Sequence, residues 1–340
     1  MVAGYLVANA VKPLLALTTS WWQILAIRFA DRFSKGIRGT ARDVMVAESE
    51  TESRLCSAFG LIQAMDSAGA IAGPLIALLL LRQYGLRGIF WAAGIPGFLC
   101  IVVAMLGIRE TKAARTSTKS TPFSSDSNRF DVPGLDVPTA EPKAVNSTTG
   151  MWGPPLPRSF YFVLLAVTLF SLGNSSDMFL VLRAQSVGIP AIQAPLLGLV
   201  FNITYTVFSW PAGHLSDRLS RRAIAAAGYL VFAAVYLVFA IAPSTLALWF
   251  TMASYGLFYA LTNPVLKALV VETVAPEVRG RALGMYFFGT SVAALLASVI
   301  TGELWKQYGP RVPFFLSAGI AAASAVLLLA SRRSQAVATS

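Results

Sequence analysis

Seven charged side chains crowd one otherwise apolar stretch of this 340-residue chain. Between residues 21 and 46 lie Arg28, Asp31, Arg32, Lys35, Arg38, Arg42 and Asp43. On an α-helix they fall within a stripe of roughly 140° and run along about 22 Å of its length. A charge near the middle of a bilayer costs about 2.5–3.5 kcal/mol on the insertion scale, so an uncompensated stripe cannot face lipid. It must face a cavity or neighbouring helices. Five cations against two acids favour an anionic or carboxylate-bearing ligand, through Coulomb attraction in a poorly solvated space. Arg28, Arg32, Lys35 and Arg38 are the candidate ligand-binding residues, with Arg28 and Arg32 suited to a bidentate clamp. The alternative is an internal ion-pair network, such as Asp31 with Arg28 and Asp43 with Arg42.

Two more carboxylates lie in apolar runs. Asp66 falls well inside 56–81, and Asp177 ends the polar run Asn174-Ser175-Ser176-Asp177 toward the outer end of a segment near 159–182. A carboxyl group in a poorly solvated interior can exchange a proton near neutrality. Asp66, Asp177 and Asp31 are therefore candidates for proton coupling. The competing readings are a fixed ion pair of Asp66 with the stripe, and a helix-end Asp177 near the headgroups. Lys12, Asn202 and Lys267 are weaker candidates for lining the same cavity. His214, the one histidine, is not given a proton role. No metal-ligand cluster, nucleophile–base pair or aspartate-rich diphosphate site is recognisable, so the sequence predicts no enzyme and no cofactor.

The elements that carry these residues follow from composition. Hydrophobic residues make up 56% of the chain and charged residues 13%, whereas a soluble domain carries about 25% charge. Apolar runs near 2–18, 21–46, 56–81, 88–108, 159–182, 193–214, 222–242, 245–270, 281–304 and 311–331 give ten expected spans. A β-barrel would show alternating ten-residue segments instead, so the fold class expected is an all-α polytopic membrane protein. The net charge of +11 follows the positive-inside rule rather than pointing to nucleic acid. Lys and Arg collect in the mid-chain loop, at 218–222, at 279–281 and at 332–333, which puts the linker and C-terminus in the cytoplasm. Cys56 and Cys100 stand alone in apolar helices and suggest neither disulfide nor metal site. Met1 leads directly into an apolar run with no basic leader, which predicts no cleavable signal peptide.

Residues 109–157 break the pattern with clustered Ser, Thr and Pro, and read as a flexible cytoplasmic tether. On either side the chain repeats. Gly4-Tyr5-Leu6 returns as Gly228-Tyr229-Leu230, and Gln83-Tyr84-Gly85 as Gln307-Tyr308-Gly309. Glu48, Gly60 and Arg87 return as Glu272, Gly284 and Arg311, all at an interval of 224 positions. Two parallel repeats are the build of a transporter with a central pathway. The expected division is residues 1–108 as four helices of a first bundle, 109–157 as linker, 158–333 as a six-helix bundle and 334–340 as tail. Two helices, roughly 65 residues, that precede Gly228 have no counterpart before Gly4, which predicts a chain shortened at its start from a twelve-helix repeat. The repeat also tests the stripe. Its second-half equivalents are Met252, Tyr255, Gly256, Tyr259, Thr262, Leu266 and Lys267, so the scaffold does not itself require those charges.

The loop Gly213-His214-Leu215-Ser216-Asp217-Arg218-Leu219-Ser220-Arg221-Arg222 resembles the signature loop of the major facilitator superfamily, with Ser220 in place of its second glycine. Gly60, Gly69, Gly73 and Pro74 resemble the antiporter motif of drug/proton exchangers, although Ala77-Leu78 stands where that motif ends in two glycines. Arg28 sits where the superfamily places an arginine in its fourth helix. The resemblance implies two helical bundles that rock about a central site. It implies a cytoplasmic gate formed by Gly213, Asp217, Arg218, Arg221 and Arg222. Glu48 and Glu272, shared by both halves, read as gate carboxylates that pair with loop arginines such as Arg218 and Arg281. The function expected is a monomeric inner-membrane secondary transporter, proton-coupled, exporting a small organic molecule, with the stripe favouring an anionic one. Proton-coupled anion uptake and a non-transporting remnant stand as alternatives.

Overall fold

This computed structural model describes residues 18, 20–92, 94–107, 155–241 and 244–337; among them there is no strand. The α-helices among the described residues are α1 (Trp21–Ser49), α2 (Leu55–Ala92), α3 (Gly94–Gly107), α4 (Arg158–Gly173), α5 (Met178–Ser186), α6 (Ala194–Arg218), α7 (Arg221–Ile241), α8 (Thr245–Glu272), α9 (Arg279–Tyr308) and α10 (Arg311–Val337). The expected span at 2–18, with Lys12, lies outside the described residues. So does nearly all of the expected linker.

Six described stretches are long and apolar enough to cross a bilayer, from Glu52–Ala77 in α2 to Arg311–Ala330 in α10. The ten runs read from sequence include others for definite reasons. The charged stripe removes α1 on composition, and Tyr255, Tyr259, Asn263 and Lys267 make α8 more polar than its 28-residue length suggests. The stretch Gly94–Val103 is apolar but short. The expected helix near 159–182 is two pieces, α4 and α5, parted by Asn174–Asp177. The polar run breaks the helix because its backbone finds other partners: Asn174 N–H bonds Ser171 O at 3.2 Å and Ser176 N–H bonds Ser298 Oγ at 3.1 Å. Irregular backbone at membrane depth survives only with such substitutes or beside a cavity.

The repeat is visible in the backbone. Gly85 interrupts α2 at φ 64°, and its partner 224 positions on, Gly309, ends the matching helix at φ 82°. Both lie in the left-handed region that a Cβ disfavours. The shared Gln-Tyr-Gly is therefore a shared corner.

The main core belongs largely to the second half. Tyr229, Phe232, Tyr236 and Phe239 of α7 are buried against Phe170, Tyr255, Phe258 and Phe314. Phe170 lies flat on Tyr229 with ring centres 3.9 Å apart. Since lipid is as apolar as these rings, close packing holds the bundle rather than escape from water. Buried Arg183 ties α5 to the end of α7, donating to the carbonyls of Phe239 and Ala240 at 3.0 and 3.1 Å.

Candidate functional site

Two half-to-half features make up the site: a seal at one end and a cavity above it. The seal forms where α2 and α6 cross antiparallel. A Cβ on Gly60 would stand 2.5 Å from the Ser209 carbonyl oxygen, and one on Gly213 would overlap the Cys56 carbonyl. These backbones touch, so only glycine fits at either place. The contact delivers Asp217 to the first turn of α2. Its carboxylate accepts from Cys56 N–H at 3.0 Å, from Ser57 N–H at 2.8 Å and from the Ser57 hydroxyl. The first amides of a helix have no partners within it and carry the positive end of its dipole, so a buried carboxylate is well placed there.

Arg221 braces the same end. It binds Glu272 at 2.8 Å, stands 3.8 Å from Asp217, and donates to the Glu52 carbonyl. Arg279 donates to the Ala47 carbonyl at 2.9 Å. Glu272 thus pairs with Arg221, an arginine of the signature loop. Arg218 and Glu48 are exposed, and Arg222 is partly buried at the start of α7.

Above the seal a cavity of about 850 Å³ opens between the halves. From the first half Arg38, Arg42 and Asp66 line it; from the second, Asn202, Tyr205 and Lys267. Arg42 Nη1 reaches both oxygens of Asp66, at 2.9 and 3.2 Å, and Asp66 remains 48% exposed to the cavity. Arg42 Nε also stands 3.6 Å from Asp43. A smaller space of about 380 Å³, lined by Tyr259, Asn263 and Tyr286, shares Gln63, Lys267, Phe287 and Ser291 with the first. Asp66 is thus in the ion pair foreseen as an alternative, though an open one. The backbones of Arg28, Asp31, Arg32 and Lys35 are in α1; their side chains lie outside the described residues.

Asp177 stands at a helix end, as the N-cap residue of α5. It sits in the break between α4 and α5 and accepts the Tyr255 hydroxyl at 2.7 Å. Asn263 donates to the Tyr205 hydroxyl at 2.6 Å. Sequence reasoning did not select Tyr205, Tyr255, Tyr259 or Asn263 as site residues. A signal existed: Tyr255 and Tyr259 occupy the repeat positions of Asp31 and Lys35, so the two cavity walls are symmetry partners with different chemistry.

The antiporter-like glycines divide. Gly60 makes the close crossing, whereas Gly69 and Gly73 have nothing within 4 Å among the described residues, and Pro74 is exposed. A Gly69→Ala/Gly73→Ala protein should therefore melt within about 0.5 kcal/mol of the parent. Gly60→Ala should lose about 1–3 kcal/mol from overpacking. Thermal unfolding in detergent distinguishes the two.

Comparison with known proteins settles the architecture. A family model of the Major Facilitator Superfamily matches twice, over residues 1–182 and 162–339. The chain belongs to that superfamily. An uncharacterized MFS-type transporter of Methanocaldococcus jannaschii is 32% identical over 337 residues, covering 97% of this chain and 77% of that protein. Multidrug resistance protein MdtG of a Rahnella strain is 24% identical over 316 residues, covering 91% and 70%. The structure of the human organic anion transporter MFSD10 matches with a TM-score of 0.71 at 14% identity, covering 96% of this chain and 76% of that one. The structure of FucP in its outward conformation matches at 0.68 and 15%, covering 97% and 82%. These likenesses establish the fold. This MFS protein is a multi-pass, all-helical membrane transporter.

Proposed function

We propose that the chain is a proton-coupled secondary transporter of the inner, or plasma, membrane that exports a small anionic organic molecule by alternating access. The carrying observation is the cavity between the halves, lined by Arg38, Arg42 and Asp66 from the first and by Lys267 and Tyr205 from the second, with Tyr259 and Tyr286 in the adjoining space. Arg38 and the stripe residues Arg28, Arg32 and Lys35 would hold the anion, against an aromatic wall. Asp66 is the main proton site, because it is open to the cavity and bound to Arg42. Its protonation competes with the ligand or releases it, so that proton and anion occupy the cavity in turn. Asp31 and Asp177 are secondary proton sites. The Asp217 end is the cytoplasmic gate, closed here, with the linker and C-terminus on that side and the protein acting as a monomer. The export direction is supported by the multidrug-resistance names of relatives such as MdtG.

Purified protein in liposomes loaded with a pH-sensitive dye tests this. Organic carboxylates and sulfonates are added outside acid-loaded vesicles, with organic cations as the contrasting class. An antiporter takes the anion in and lets protons out, so the lumen turns alkaline. A symporter carries both inward and the lumen turns more acid, which would replace export with uptake. No response to any compound would favour the non-transporting reading.

A further inference from the structure

Asp43 and Lys267 stand 224 positions apart and so occupy the same place in the two halves. They also touch: Lys267 Nζ lies 2.9 Å from Asp43 Oδ2. Two residues related by a two-fold axis can meet only where that axis passes between them. The repeat therefore has its axis marked by one ion pair, joining α1 to α8. Identical residues at this place would set two like charges face to face. The contact is attractive only because the halves have diverged here to opposite signs.

The surroundings make it a contact between states rather than a surface bridge. The Asp43 side chain is 1% exposed and that of Lys267 14%. Lys267 Nζ lies 5.9 Å from the Phe59 ring centre and 5.8 Å from that of Phe287. Asp43 also faces Arg42 on its own helix, and through it Asp66 on α2, with Tyr286 nearby on α9. The pair lies on the cavity floor, one helical turn inside Ala47, whose carbonyl takes Arg279 at the seal. An ion pair this enclosed separates cheaply only if water enters to hydrate both ends, and here that requires the halves to part.

We infer that Asp43 and Lys267 are positioning residues of the transport cycle: an inter-half lock on the pseudo-two-fold axis, closed while the Asp217 end is sealed and broken when it opens. Because the two positions are equivalent, the pair can still meet with its charges exchanged, at a cost set by Arg42 beside position 43. The inference rests on the alternating-access reading, but its readout requires no substrate.

The native reporter is Cys56, fully buried under the Asp217 contact, in a Cys100→Ser background. Its rate of modification by N-ethylmaleimide, in the detergent-purified protein, measures how often the seal opens. Asp43→Asn/Lys267→Gln removes the lock without leaving an orphan charge, and should label about tenfold faster than the parent. Lys267→Ala should do so too if it folds. The exchange Asp43→Lys/Lys267→Asp should return the rate most of the way to the parent's, although Arg42 beside position 43 has Leu266 as its counterpart. Labelling of the doubly neutral protein at the parent rate would overturn the lock. So would an exchanged protein that labels as fast as the neutral one, or that fails to insert where the neutral one succeeds. The dye assay is independent: absence of transport with the labelling pattern intact would remove the transport reading and leave the lock.

Discussion

Replacing Asp217 by alanine should open the seal between the halves and abolish vectorial transport while leaving membrane insertion intact. The carboxylate is 5% exposed and meets two backbone amides and one hydroxyl of the opposite half. A hydrogen bond to a charged group contributes about 1.5–3 kcal/mol net. Loss of about 2–3 kcal/mol from the closed state shifts the balance roughly 30- to 150-fold toward the open one. Arg221 loses one acidic neighbour but keeps Glu272, so the second half should stay folded. Cys56 modification should rise by that factor, and melting temperature should change little. Asp217→Asn should fall between, since its amide oxygen can still accept one N–H. Parent-like labelling of the alanine variant would mean that the seal holds through the α2–α6 crossing and the Arg221 and Arg279 contacts without the carboxylate.

The second large effect is expected at Asp66. Asp66→Asn keeps the size of the side chain and removes both its charge and its titration. Under the proposed mechanism no proton then exchanges with the anion at this site, so anion movement is uncoupled from the pH gradient. Gradient-driven accumulation should fall at least about tenfold, while exchange of substrate across vesicles without a gradient persists. A variant that still concentrates substrate against a pH gradient would move the proton site to Asp31 or Asp177. One that loses exchange as well would assign the Arg42–Asp66 pair a structural role.

The fold was legible because its determinants are repetitive and local: apolar runs of membrane length, and a 224-residue interval that needed no gap. The Gln-Tyr-Gly pair could be read as a repeat, and its geometric reason, two corners with positive φ, appears only in the backbone. The charged stripe was legible because charge inside an apolar run is costly and therefore conspicuous. Two things were not. The break at Asn174–Asp177 depends on Ser298, which is 122 residues away from Ser176. And the Asp43–Lys267 pair was visible only as a replacement of acid by base, since nothing in a linear sequence says that symmetry partners lie on the axis. Tyrosines on α8 read as ordinary apolar-helix residues until the cavity beside them is known.

The seal has a one-sided grip. Asp217, Arg221 and Arg279, all from the second half, hold main-chain atoms of the first: the amides of Cys56 and Ser57 and the carbonyls of Glu52 and Ala47. Main-chain atoms are common to every residue type except for proline's missing N–H. Apart from Ser57, whose hydroxyl also binds Asp217, the gripped positions are thus free to drift among relatives without loosening the latch, while the three gripping side chains are not. Covariation between the halves should accordingly be faint at the seal, however strong the coupling, and mutational tolerance should differ sharply between its two sides.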